Sequence, residues 1–322
     1  MDILITGGTG FLGRAITREL LAHGHQVTAL ARGVTRAELD PGVNLVRADL
    51  LDADATTQAI VANPADVVIH LAGRTNARES FTDPVGYYAA NVTGTVNLLH
   101  ALGQAGSESA ARRVVFASTH AVYGSQRDGL LSEADPVQPE SPYAASKASA
   151  EQLLAFHART GDIGAVTLRC FNIAGALDGI TDPDRSRILP RIIECASSGR
   201  PISVNGDGSA QRDFVHVADV AVAFRLAAES VRPDTAVTYN VGTGTGTSIS
   251  DLIAATEHAM NTTIAVRHQP AADEPQAVIA DTKLIAGEIG WLPTQRSAVA
   301  SIVSDSVGFD SSHAVAQPPT SQ

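Results

Sequence analysis

Tyr143 and Lys147 stand four residues apart behind Ser141-Pro142, a pair suited to opening a helix, so their side chains share one helical face. An ammonium beside a phenol favours the phenolate, which predicts a Tyr143 pKa below the usual value of about 10. Such a tyrosine can take the proton of an alcohol as hydride leaves its carbon. The same ammonium can hold the hydroxyls of a cofactor ribose. Upstream, the run Arg113–Ala117 ends in Ser118-Thr119-His120. Thr119 can bond the oxygen that Tyr143 deprotonates, with Ser118 the alternative. His120 has two readings, a proton carrier near neutral pH or a polar residue filling the pocket edge. Tyr-x-x-x-Lys alone is also a common surface pair, so its meaning depends on the rest of the chain.

The strongest companion is Gly7-Gly8-Thr9-Gly10-Phe11-Leu12-Gly13, which follows a strand-like run and precedes an apolar helical pattern. Gly7 allows a tight turn, Gly10 lets a pyrophosphate approach the backbone, and Gly13 lets helix pack close on strand. Phe11 and Leu12 open that helix, whose free N–H groups attract an anion. A nicotinamide dinucleotide is expected there. Near the end of the second strand, where an acid would bond the adenosine ribose, the chain has Leu30-Ala31-Arg32-Gly33. Arg32 is either solvated or paired with a 2′-phosphate, which tips the expectation toward NADP over NAD. Asp49-Leu50 can bracket the adenine. Leu71-Ala72-Gly73 supplies a small-residue loop beside the cofactor, and His70 before it is given no chemical role.

Elements that could position these residues follow in order. Strands are predicted near 2–6, 27–31, 43–47, 66–70, 113–117 and 164–169, and helices near 11–23, 54–63, 84–105 and 142–160. Apolar runs without strict alternation suit a parallel sheet covered on both faces. After Asn172 the pattern turns irregular, with helices predicted at 188–198, 218–230, 248–259 and 281–287 and a strand at 236–240. The expected fold is α/β, a parallel-sheet domain (1–172 plus about 214–243) with a second, smaller α/β substrate domain (173–213 plus 244–303). The Ser-, Ala-, Pro- and Gln-rich tail 304–322 reads as disordered. With 322 residues, 44% of them hydrophobic, a large core is available. A net charge of −11 argues against nucleic-acid or anionic-membrane partners. Cys170 and Cys195 lack metal or redox spacing, so no metal is expected and both read as free thiols. No leader or membrane-spanning run is evident, which makes cytoplasm the expected compartment.

Taken together, these motifs resemble the extended short-chain dehydrogenase/reductases, in the branch of nucleotide-sugar epimerases and dehydratases. The likeness runs through GGTGFLG (7–13), Asp49-Leu50, HLAG (70–73), NVTGT (91–95), STHAVYG (118–124) and SPYAASK (141–147). It continues in RCFNIAG (169–175), QRDFVHVADVA (211–221), YNVGTG (239–244) and the GW-P motif at 290–293. It implies a Rossmann-like domain with a smaller nucleotide-sugar domain. It implies too that Thr119, Tyr143 and Lys147 form the catalytic set, that Asn91 supports them and the cofactor, and that Asn172 and Arg212 contact the diphosphate of a nucleotide sugar. Asp213 could instead hold Arg212 in a structural pair. A homodimer through helices 84–105 and 142–160 is also implied.

Three departures are visible: Ala31-Arg32 in place of an acid, Pro270–Pro275 in place of an Arg-x-Gly-Asp, and His120-Ala121 where dehydratases carry Asp-Glu. The resemblance favours 4-epimerisation through a transient 4-keto sugar. An NADPH-dependent 4-ketoreductase, a dehydratase using His120, and a cofactor-binding protein without turnover are the alternatives.

Overall fold

The computed structural model describes residues 1–33, 39–105, 113–125, 128–161, 163–271 and 274–314. Its first part alternates strand and helix: β1 (Asp2–Thr6), α1 (Phe11–Ala22), β2 (Gln26–Ala31), β3 (Asn44–Arg47), α2 (Ala53–Ala62), β4 (Val67–His70), α3 (Pro84–Tyr88), α4 (Gly94–Gln104) and β5 (Arg113–Thr119). Then come β6 (Gly129–Leu131), α5 (Pro142–Arg159), β7 (Gly164–Cys170), β8 (Asn172–Ala174), α6 (Ile188–Ser198), β9 (Ile202–Asn205), β10 (Gln211–Arg212) and β11 (Phe214–His216). The last part holds α7 (Val217–Ser230), β12 (Ala236–Val241), β13 (Thr247–Ser248), α8 (Ile249–Met260), β14 (Val266–Gln269), β15 (Ala277–Ala280), α9 (Lys283–Ile289) and α10 (Val299–Ala314).

Seven strands form one parallel sheet in the order β12-β7-β5-β4-β1-β2-β3. Chain order reverses between β1 and β4, and such a switch opens a crevice at the carboxyl ends of the strands. Alternation along each strand feeds two cores. Ile3, Ile5, Val67 and Ile69 pack with α1 and α7 on one face, whereas Leu4, Val68, Val114 and Phe116 pack with α2, α4 and α5 on the other. Burying each such side chain stabilises the fold by roughly 1.5–3 kcal/mol. A Rossmann-like α/β sheet is the result, and a smaller α/β region stands beside it. There β13-β10-β15-β6 form a mixed sheet, while α6, α8 and α10 close over a third core with Ile192, Ile202, Leu252 and Ile302.

Several expectations change. The helix predicted at 84–105 is three pieces, because α3 passes into a π turn at Ala89–Thr93 before α4 begins. The expected tail continues as α10 to Ala314, since Ile302 and Val303 are buried against the third core and Asp305 pairs with His216 at 3.2 Å. Residues 315–322 lie outside the described residues. The helix predicted at 281–287 begins two residues later, where Asp281 Oδ1 accepts from the Lys283 N–H at 3.1 Å. Contacts also cross the expected domain division: Ile285 and Trp291 enter the first core, and Gly129–Leu131 pair with β15.

Candidate functional site

The β1–α1 turn meets the loop after β4. Gly7 has φ +73°, and a Cβ there would lie 2.8 Å from the Ala72 nitrogen, so only glycine fits without strain. A Cβ on Gly13 would lie 2.2 Å from the Gly7 carbonyl oxygen, so its absence sets the close approach of α1 to β1. α1 has Gly10 as N-cap with no side-chain cap, leaving its first N–H groups to face whatever the turn holds. That combination fits a dinucleotide pyrophosphate. A Cβ on Gly73 would sit 2.5 Å from Asn91 Oδ1, which explains a small residue there.

A single cleft of about 1310 Å³ runs from this turn across the strand ends to the smaller region. Its wall includes Gly7, Gly10, Phe11, Leu12 and Gly13 from the turn, Arg32, Asp49 and Leu50 from the β2 and β3 ends, and Leu71, Ala72 and Gly73 after β4. Ser118, Thr119, His120, Tyr143 and Lys147 line its middle, and Asn172 and Arg212 its far end. Asn91 is the exception. It is 1% exposed behind the loop, where its amide accepts from the Arg74 N–H (2.8 Å) and donates to the Arg74 carbonyl (3.1 Å) and Ser146 Oγ (2.9 Å). Its place is a brace under the cleft floor.

β5 delivers Thr119 at its last residue, after which His120–Tyr123 make a single 3₁₀ turn. α5 starts at Ser141, whose Oγ accepts from the Ala144 N–H at 3.1 Å, with Pro142 at the first helical position. This start sets Tyr143 and Lys147 over β5. Lys147, 3% exposed, donates to the Ala117 carbonyl at 2.9 Å, and its Nζ lies 4.7 Å from the Phe116 ring centre. Burial lowers its pKa to about 8. The expected depression of Tyr143 is not found. Burial raises its phenol to about 12, while the Thr119 hydroxyl and the charge of Arg187 pull only partly the other way. A phenol taken out of water loses more as phenolate than these neighbours return.

His120 stacks on Phe171 (5.1 Å between ring centres, 26° between planes), and its Nδ1 lies 3.3 Å from the Cys170 carbonyl oxygen. A carbonyl can only accept, so Nδ1 carries the proton. Burial lowers the ring to about 4, so a neutral imidazole stands at the cleft edge, which favours the second of its two readings. The Ser118 hydroxyl donates to Glu151. His70 behaves as a core residue. Thr95 Oγ1 donates to the Asn91 carbonyl (2.7 Å), so His70 Nε2 donates to Thr95 (3.0 Å) and Nδ1 accepts from Thr6 Oγ1 (2.7 Å).

Arg32 donates to Asp49 at 3.2 Å, joining the two residues that were expected to act separately on the adenosine. Arg212 pairs with Glu274 (2.6 Å) and the Pro275 carbonyl (3.1 Å), not with Asp213. Asp213 is fully buried and instead accepts from Thr243 N (2.7 Å), Gly244 N (2.9 Å) and Ala280 N (3.1 Å), fastening the loop after β12 to β15. Sequence reasoning missed Arg187 and Arg191 at the start of α6, both on the cleft wall. Asp182 holds Arg187 at 3.0 Å, whereas Arg191 donates to the Ser203 carbonyl (3.2 Å) and keeps a buried Nε without a partner. Their spacing of four was the available signal.

Fold and site together define a dinucleotide-binding α/β enzyme with a hydroxyl-tyrosine-lysine set at the reacting end. The chain belongs to the NAD dependent epimerase/dehydratase family, whose model matches residues 3–242. It is 32% identical to a UDP-glucose 4-epimerase of Streptomyces lividans over 96% of each chain. Among solved structures, it is similar to a UDP-glucose 4-epimerase of Stenotrophomonas maltophila with bound NAD and formylated UDP-arabinopyranose. That match has TM-score 0.90 and 29% identity, covering 98% of this chain and 100% of the other. The Thermus thermophilus UDP-glucose 4-epimerase in complex with NAD gives TM-score 0.84 and 31% identity, covering 96% and 98%.

Proposed function

We propose that this protein is an NAD-dependent nucleotide-sugar 4-epimerase. One observation carries the reading: the continuous cleft joins the α1 N-terminus, the Thr119–Tyr143–Lys147 set and the arginines of the smaller region. The glycine turn would hold the pyrophosphate, and Lys147 the ribose next to the nicotinamide. NAD, when bound, would supply the acceptor and donor of hydride and a positively charged ring. Tyr143 takes the proton of the sugar C4 hydroxyl and later returns it. Thr119 Oγ1 accepts from the Ala121 N–H (3.2 Å), and its hydroxyl, which bonds the Tyr143 phenol, would turn to hold the substrate oxygen between them. Arg212 and Asn172 would grip the diphosphate, and Arg187 and Arg191 add charge there. Binding energy placed on the nucleotide leaves the hexose free to turn over as a 4-keto sugar.

NAD, not NADP, is the form proposed. The sequence preference for NADP assumed an available Arg32, but that guanidinium is engaged by Asp49, and similar structures hold NAD. The ketoreductase alternative loses the same support, and the dehydratase alternative needs a charged His120. Exposed Val85, Val96 and Phe156 on α3, α4 and α5 support pairing of two copies through those helices.

The test is a panel of UDP-, dTDP- and GDP-sugars with the purified protein and no added reductant. Conversion of one sugar to its C4 epimer, with NAD bound at least about tenfold more tightly than NADP, is expected. A product that requires stoichiometric NADPH, or a 4-keto-6-deoxy product, would overturn the reading.

A further inference from the structure

Glu151 lies one turn beyond Lys147 on α5, is 8% exposed and does not reach the cleft wall. Its carboxylate accepts from the Ser118 hydroxyl. It also accepts from Arg169, through Nε (3.1 and 3.2 Å to its two oxygens) and Nη2 (2.7 Å). The guanidinium in turn stands 4.8 Å from the centre of the Tyr123 ring, whose hydroxyl donates to Asn240 Oδ1 at 2.7 Å. The last residues of β5 are thereby tied one by one. Lys147 holds the Ala117 carbonyl, Glu151 holds Ser118, and Thr119 is left to face Tyr143.

We propose that Glu151 is a positioning residue for the reaction: through Ser118 it fixes the strand end that presents Thr119, and its carboxylate is the counter-charge of Lys147. The inference rests on the 4-epimerase reading above. Titratable neighbours of Lys147 on the surrounding elements do not compete for that second role. Burial raises Tyr143 on α5 and Cys170 on β7 to about 12 and lowers His70 on β4 to about 3, so all three are neutral near pH 8. Cys170 and Glu151 are the groups whose negative charge would raise the Lys147 pKa against burial, and with Cys170 neutral near pH 8 that effect falls to Glu151.

Two substitutions separate the roles. Glu151→Gln keeps an oxygen for Ser118 and removes the charge, so the alkaline limb of kcat/KM should move about half to one pH unit lower. Ser118→Ala removes the strut but leaves the ion pair, so kcat should fall about tenfold with KM little changed. Because the two act on different roles, the double variant should show the Ser118→Ala loss in kcat together with the Glu151→Gln shift of the limb. Glu151→Gln with Arg169→Gln removes both charges, so the limb should move less than in Glu151→Gln; should the lone buried guanidinium unfold that single variant, Ser118→Ala still tests the strut. A lower Tm with an unmoved limb and unchanged kcat would reduce Glu151 to a structural ion pair. A raised KM in Ser118→Ala would place Ser118 on the substrate instead. Either result overturns the inference while wild-type turnover upholds the function; a wild-type protein that converts no nucleotide sugar defeats both.

Discussion

Lys147 is held at the reacting end in spite of burial, and the consequence is a pH dependence with two opposite signs. Its pKa falls from an ordinary 10.5 to about 8. Activity that needs the ammonium should therefore decline above pH about 8, seen as a single alkaline limb in kcat/KM. Stability should move the other way. Between about pH 8 and 10.5 the unfolded chain binds the proton that the folded chain has lost, so this group's contribution to stability rises with pH. Urea midpoints measured across that window, in wild type and Lys147→Met, isolate the contribution. Tyr143→Phe should lower kcat by about 10²–10⁴-fold, the usual worth of a positioned acid or base, with the fold intact. The Tyr143–Lys147 pair was legible from its spacing together with the motifs around it, since the spacing alone also describes a surface pair. The direction of the Tyr143 shift was not, because the sequence shows the lysine four residues away but not how completely the ring leaves water. His120 shows the same limit: its residue type left a proton carrier and a pocket-edge filler open, and only its burial, stacked on Phe171, favours the neutral form.

At the level of elements, the glycine turn is the most constrained piece of the fold. Gly13→Ala would push a methyl group into the Gly7 carbonyl, so α1 must shift away from β1. The expected outcome is a loss of about 1–3 kcal/mol in stability, with NAD affinity reduced at least tenfold as the helix N-terminus leaves its place. Calorimetric titration with NAD checks the second effect and thermal unfolding the first. The long strands β1, β2, β4, β5 and β7 were legible because their apolar runs are buried on both faces and bounded by turns. The strands β6, β8, β10 and β13 were not. Each has two or three residues and gains its identity from a distant partner, as Gly129–Leu131 do from Val278–Ala280. The break in the helix predicted at 84–105 was equally hidden. The π turn puts Asn91 under the Arg74 loop, a long-range contact that helical periodicity does not encode.

Across the whole molecule, a chain of net charge −11 places Arg74, Arg78, Arg185, Arg187, Arg191 and Arg212 around one cleft, where they outnumber the acids Asp49, Asp182, Asp184 and Glu274. That distribution suits an anionic ligand entering an acidic protein, and the net charge alone concealed it. Much of the smaller region became visible only in three dimensions, since Arg212 and Glu274 meet across 62 residues of sequence. No helix among the described residues is long and apolar enough to cross a membrane.

The central claim is that hydride leaves C4 of the sugar and returns to the same carbon from the other face. UDP-glucose deuterated at C4, incubated with the protein and then examined by mass spectrometry and proton NMR, tests it directly. The account predicts the C4 epimer with its label retained at C4, no net reduced cofactor, and, in a parallel run of unlabelled sugar in deuterated water, no solvent deuterium on carbon. Loss of the label, or solvent deuterium in the product, would contradict it.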